Sequence, residues 1–342
     1  MLIVMKPTAT EDDIAAVIHR VEGSGARAHV SRGEEVTLIG AIGDREHVAR
    51  IEPDAMHGVD HVVPILKPYK LASEQVTGGR RSVLEIAGRK VGGEHFTLIA
   101  GPCTVESRDQ VLRAAHAVAA AGADMYRGGA YKPRTSPYAF QGLGQEGLRL
   151  LEEAKARTGL PVVTELMDVR DVEAVAEVAD VVQIGARNMQ NYTLLTEVGR
   201  SGIPTLIKRG LSSTLEELCM SAEYVLKEGN PNVMLCERGI RTFETSYRFT
   251  LDITAVPVLK ELTHLPVIVD PSHAAGRRDL VLPLSLAAAA AGADGIIVET
   301  HPAPEDAICD GPQAIHTSDF ADYAARVEQA AAVAGKIVGA AA

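Results

Sequence analysis

Apolar positions keep one rhythm up to residue 69 and another from residue 82 onward. At the amino end "MLIVMKP" reads as a short buried strand. In "TEDDIAAVIHRVEGSG", Ile14, Val17, Ile18 and Val21 recur at helical spacing, which predicts an amphipathic helix. Thr10 is placed to cap it, acids crowd its first turn, and Gly23 and Gly25 end it. "ARAHVSRG" and "EVTLIGAIG" predict two strands joined at Gly33, "REHVARIEP" a second short helix, and "VDHVVPIL" a last strand. The order β-α-β-β-α-β predicts a ferredoxin-like domain over residues 1–69. A charged, turn-rich stretch at residues 70–81 reads as a linker.

From residue 82 the pattern changes. "VLEIAGRKVGG" reads as a hairpin, and short apolar runs then alternate with longer amphipathic ones. The runs are "FTLIAG", "DMYRGG", "PVVTEL", "VVQIGAR", "PTLIKRG", "NVMLCERG", "PVIVDPS" and "GIIVET". Helical stretches such as "SRDQVLRAAHAVAAAG" lie between them. Eight βα units over residues 82–342 predict a (β/α)8 TIM barrel. "AAAGADMY" at 119–126 and "AAAGADGI" at 289–296 repeat one joint, a helix ending at glycine before a strand. A doubly wound open sheet is the competing arrangement. No GxGxxG follows the first strand, and eight units favour closure.

Composition narrows the function classes. The net charge of -11 argues against nucleic-acid binding while leaving room for a local basic pocket. The longest alanine-rich run, "LSLAAAAAGA", is too short to span a bilayer, so no membrane partner is expected. Four cysteines without a CxxC pair do not form a disulfide framework, and the expected location is the cytoplasm.

The chemistry collects where the predicted strands end, the face on which such barrels carry their sites. Cys103, Arg127, Glu165, Arg187, Lys208, Arg209, Glu237, Arg238, His273 and Glu299 fall there in order. In "RGGAYKPRTSPY", Pro133 and Pro137 hold the preceding residues extended. Lys132 and Arg134 then face one side about 6.6 Å apart, a spacing suited to two neighbouring anionic groups, with Thr135 and Ser136 adding hydroxyl donors. Cys103, His273 and Glu299 come from strands that become contiguous on closure, and Asp310 sits in a long final loop. Thiolate, imidazole and two carboxylates suit a divalent ion such as Mn, Fe, Co or Zn. On chemistry alone Glu305 or Asp306 would serve in place of Asp310. Cys219 and Cys236 read as structural.

Together, "GPC", "YKPRTSPY", "QIGAR", "LIKRG", "CERGIRTFE", "DPSHAAGRRD" and "VETHPAPEDAICDGPQ" resemble 3-deoxy-D-arabino-heptulosonate 7-phosphate synthase of the Iβ type, over roughly residues 70–340. The front part resembles the regulatory domain some members carry. The resemblance implies condensation of phosphoenolpyruvate with erythrose 4-phosphate and water, the first step of the shikimate pathway. It implies a metal on Cys103, His273, Glu299 and Asp310. Phosphoenolpyruvate would be held by Arg127, Lys132, Arg187, Lys208 and Arg238, with the Gly185–Ala186 backbone near its phosphate. Erythrose 4-phosphate would meet Arg134, Thr135 and Ser136. Lys132 is the candidate general acid, with flanking cations expected to lower its pKa. Glu165 either orients the water or balances Lys208 and Arg187. A homotetramer is implied, as is a Tyr or Phe effector bound by the front domain at a subunit interface, restricting the barrel mouth. Cys309, beside Asp310, is a candidate disulfide partner for Cys103 when metal is absent.

Two rivals remain. 3-Deoxy-D-manno-octulosonate 8-phosphate synthase shares the barrel and the ligand set, but that family reads Lys-Ala-Asn-Arg where this chain has Lys132-Pro133-Arg134-Thr135. A barrel that only senses aromatic amino acids would have no need of the full set of metal and anion residues.

Overall fold

The computed structural model describes residues 1–33, 36–44, 47–48, 51–63, 68–134 and 136–338. The chain divides into two compact units, Met1–Pro68 and Tyr69–Ala342.

The first unit is a four-stranded antiparallel sheet. Its strands are β1 (Leu2–Met5), β2 (Arg27–Arg32), β3 (Thr37–Ile42) and β4 (Val59–Val63), in the order β2-β3-β1-β4. The helix Glu11–Gly23 buries Ile14, Val17 and Val21, which share a core with Ile3, Met5, Ile39 and Ile51. Its entry is fixed by a reciprocal cap: the Thr10 hydroxyl accepts from Asp13 N at 3.2 Å, and Asp13 Oδ2 accepts from Thr10 N at 2.8 Å. The expected second helix falls partly on residues 45–46 and 49–50, outside the described residues.

The second unit opens with Tyr69 buried in the barrel's outer core. The backbone N–H groups of Lys70, Leu71 and Ala72 donate to the Glu223 carboxylate, each at 2.9 Å. The stretch read as a linker is therefore anchored to this unit at its start. The hairpin β5 (Val83–Ile86) and β6 (Arg89–Gly92) forms as expected. Eight parallel strands follow: β7 (Thr97–Gly101), β8 (Met125–Arg127), β9 (Val162–Leu166), β10 (Val181–Ile184), β11 (Thr205–Lys208), β12 (Val233–Glu237), β13 (Val267–Val269) and β14 (Gly295–His301). Each pairs with its neighbour in sequence, and β14 pairs with β7, closing the barrel. A short β15 (Ile315–His316) adds to β14.

Both faces of these strands are buried, which explains their nearly continuous apolar composition. Ile99, Met125, Val163, Val181, Leu206, Met234, Ile268 and Ile297 point inward and form one core with Leu84, Ile86 and Val91 of the hairpin. Alternate residues such as Leu98, Val162 and Leu235 pack outward among the helices. The interior is thus filled by side chains, and the opposite rim is left to the strand ends. Among the described residues no helix is long and apolar enough to cross a membrane.

Candidate active site

The strands β13, β14 and β7 lie side by side, and their ends, with the loop after β14, bring together four groups able to hold a metal ion. One donor atom each from Cys103, His273, Glu299 and Asp310 lies within 4.8 Å of the others. Cys103 follows β7. Gly101, at the end of that strand, has a φ of +154°, and a Cβ there would stand 2.0 Å from the Arg127 carbonyl oxygen. Only glycine allows this close turn toward Cys103. His273 sits on the short helix Pro271–Ala275, capped by Asp270, whose Oδ1 accepts from His273 N at 2.9 Å. Asp270 Oδ2 accepts from His273 Nδ1 at 2.7 Å, which turns Nε2 toward Glu299 Oε1, 3.0 Å away. Glu299 is fixed twice more, by Arg127 Nη1 at 3.0 Å and Gln313 Nε2 at 2.6 Å. The thiol of Cys103 lies 3.0 Å from Asp310 Oδ2. Of the acids weighed in the last loop, Asp310 joins the cluster; Glu305 and Asp306 are exposed.

The charges around this cluster explain its protonation. Burial pushes the Cys103 thiol well up, assisted by Cys309 and Glu299. Burial would depress His273, yet Asp270 and Glu299 carry it up to about 10. Asp310 is held at about 2: burial and Glu299 oppose this, and Lys132 and His273 outweigh them. Lys132 does not follow the expectation of a lowered pKa. Burial does act in that direction, but Cys103 and the carboxylates of Glu299 and Asp310 around the ammonium raise it. Its Nζ bonds to Cys103 Sγ and lies 3.2 Å from Asp310 Oδ2. The flanking cations of the linear sequence are outweighed in space by these carboxylates.

Beside the cluster opens a cavity of about 310 Å³. Lys132, Arg134, Ser136, Glu165, Ala186, Arg187, Lys208, Arg238, His273 and Asp310 all line it. Thr135 lies outside the described residues. Arg127 does not line the cavity; it is buried and ion-paired to Glu299. Gly185 is buried against Glu165: a Cβ there would meet Glu165 Oε1 at 2.1 Å. Glu165 Oε2 accepts from Gln183 Nε2 at 3.1 Å, across the β9–β10 register that sets the two residues side by side. Lys208 has its own counter-ion in Asp270, 2.5 Å from Nζ. Arg209 and Glu237, also at strand ends, are ion-paired to each other at 2.9 Å. Arg238 is nearly fully buried, and its Nη1 has no hydrogen-bond partner among the described residues. Burying a cationic donor unpaired is costly, so an anion is the natural complement.

Sequence reasoning passed over Asp270, Gln183, Arg248 and Gln313. Asp270 directly follows β13, so the strand-end rule that found the others would have found it. Gln183 is a polar residue within an apolar run, aimed into the barrel. Arg248 lies in an irregular loop and Gln313 in a single 3-10 turn, Gly311–Gln313, where no periodicity marks them.

A closed parallel barrel with a four-ligand cluster and a cationic cavity at its strand ends is the architecture of a metal-assisted enzyme for anionic substrates. The chain belongs to the DAHP synthetase I family, whose model matches residues 76–334, and residues 1–67 match the DAHP synthase ferredoxin-like domain. A phospho-2-dehydro-3-deoxyheptonate aldolase from Thermotoga maritima is 48% identical over 98% of this chain and 99% of its own. The crystal structure of a Thermotoga maritima DAHP synthase superposes with a TM-score of 0.94 at 47% identity, covering 99% of both chains. A 2-dehydro-3-deoxyphosphooctonate aldolase from Syntrophotalea carbinolica is 35% identical over 68% of this chain and 90% of its own.

Proposed function

We propose that this chain condenses phosphoenolpyruvate with erythrose 4-phosphate and water, giving 3-deoxy-D-arabino-heptulosonate 7-phosphate and free phosphate at the entry to aromatic amino acid synthesis. One observation carries this reading: a mixed cluster of thiol, imidazole and two carboxylates adjoins a cavity ringed with cations. Cys103, His273, Glu299 and Asp310 would hold a divalent ion. The mixed thiolate, imidazole and carboxylate set suits Mn, Fe, Co or Zn better than Mg or Ca. Such an ion would supply Lewis acidity to the aldehyde oxygen.

The chain's own residues do the rest. Arg187, Lys208 and Arg238 hold the phosphoenolpyruvate anions, with the backbone at Gly185 and Ala186 beside its phosphate. Arg127 acts through Glu299, which it pins. Arg134, Thr135 and Ser136 meet erythrose 4-phosphate. C3 of phosphoenolpyruvate attacks the aldehyde carbon and forms the new C–C bond. Water adds at C2, the C2–O bond to phosphate breaks, and the ketone forms. Lys132, kept protonated by its anionic neighbours, carries the proton for the nascent hydroxyl at Nζ. Glu165 takes the proton of the attacking water; Lys208 is already balanced by Asp270, so Glu165 is not needed for that. The likeness to the family further supports assembly as a homotetramer and binding of Tyr or Phe through the front unit. A reducing cytoplasm suits the four free cysteines.

The test is phosphate release with each substrate omitted in turn, with a chelator, and with arabinose 5-phosphate in place of erythrose 4-phosphate. Release should need both phosphoenolpyruvate and erythrose 4-phosphate, stop with the chelator, and fall by orders of magnitude in Lys132→Met. Preference for arabinose 5-phosphate would assign the octulosonate reaction instead.

A further inference from the structure

We propose that Arg248 pairs with Arg134 to seat the phosphate of the aldehyde substrate, and so sets how far that phosphate lies from the reacting carbon. This rests on the condensation described above. Arg248 stands in the loop between β12 and the helix Ala255–Leu262 and lines the cavity. Its guanidinium lies 5.6 Å from the centroid of the Phe249 ring, and that of Arg238 lies 4.6 Å from the same centroid. One aromatic ring thus steadies two like charges beside one cavity. The two guanidinium groups repel, Arg248 adding to the burial that lowers the pKa of Arg238, and an anion between them relieves this.

The cations of the cavity are graded by depth. Lys132, Lys208 and Arg238 are buried. The Arg248 side chain is 38% exposed, and Arg134 is half-buried. Both outer arginines reach the same segment: Arg134 Nη1 lies 2.6 Å from Cys309 Sγ, and Arg248 Nη1 lies 3.4 Å from Asp310 Oδ1 and 3.1 Å from Gln313 Oε1. Asp310 belongs to the four-residue cluster, so the Arg248 guanidinium stands beside that cluster on its more exposed side. A four-carbon aldehyde placed with C1 at the cluster carries its phosphate at the far end, toward the rim. Two planar forks facing a group with about two negative charges are well suited to hold it. The contact of Arg248 with Asp310 is long, at 3.4 Å, and partly exposed, so exchanging it for a ligand costs little.

Steady-state kinetics of Arg248→Ala and Arg248→Lys test this, alongside metal affinity by chelator competition. Losing one charged contact to phosphate should raise KM for erythrose 4-phosphate about tenfold or more. KM for phosphoenolpyruvate and the metal affinity should stay within about twofold, and Arg248→Lys should restore part of the loss. Unphosphorylated erythrose, lacking the group in question, should react equally slowly with wild type and variant. Should Arg248→Ala not fold, Arg248→Gln, which keeps the stem over Phe249, carries the same expectation. Equal rises in both KM values, a loss confined to kcat, or metal binding weakened in step would overturn the proposal. Wild-type protein that releases no phosphate from the substrate pair would instead overturn the reaction itself.

Discussion

Asp270 makes three short bonds with one carboxylate, to His273 N, His273 Nδ1 and Lys208 Nζ. It therefore orients the imidazole of the proposed metal site and neutralises a cation of the proposed anion pocket together. A carboxylate behind a ligating histidine typically contributes ten- to a hundredfold to metal affinity. Asp270→Asn should accordingly weaken the ion about tenfold or more, read by chelator competition; affinity within twofold of wild type would show that Asp270 does not support the site. At this scale the candidate residues were legible because a barrel strand delivers its last side chain to the rim. What the linear order hid was their company. Lys132 has Arg127 and Arg134 near it in sequence, but anions near it in space, and that reverses its expected titration.

At the scale of elements, periodicity found the eight strands and the capped front helix, because each is a regular apolar pattern. The anchoring of Tyr69–Ala72 was not legible, since it depends on Glu223, far away along the chain. The front helix also has a pH signature. The Thr10 backbone N–H, followed by His57 and the Thr10 hydroxyl, holds Asp13 at about 2, below its ordinary 3.8. A depressed carboxylate stabilises the fold above its unfolded pKa and loses that contribution as pH falls through the folded value. The melting-temperature gap between wild type and Asp13→Asn should therefore be widest at pH 5 and above and shrink from about pH 4 toward pH 2. A gap that is constant over that range would contradict the cap's role.

Across the whole molecule, the division after Pro68 bears on regulation. Deleting residues 1–68 should leave the condensation active and abolish inhibition by Tyr or Phe. Extending the deletion through Ala72 removes a buried aromatic ring and three backbone bonds to Glu223, and should lower the melting temperature of the barrel. Truncating one buried aromatic side chain alone costs about 3–5 kcal/mol. A full-length enzyme indifferent to both amino acids would end the regulatory reading while leaving the catalytic one intact. The barrel was legible from eight alternations; the cavity was not, because its walls include loops with no pattern of their own.

The most direct examination of the central claim is anomalous diffraction from a crystal soaked with Mn²⁺ and phosphoenolpyruvate. The account predicts one strong anomalous peak bounded by Cys103 Sγ, His273 Nε2, Glu299 and Asp310, with phosphoenolpyruvate beside it on Lys208 and Arg238. An ion bound elsewhere, or phosphoenolpyruvate outside this cavity, would contradict it.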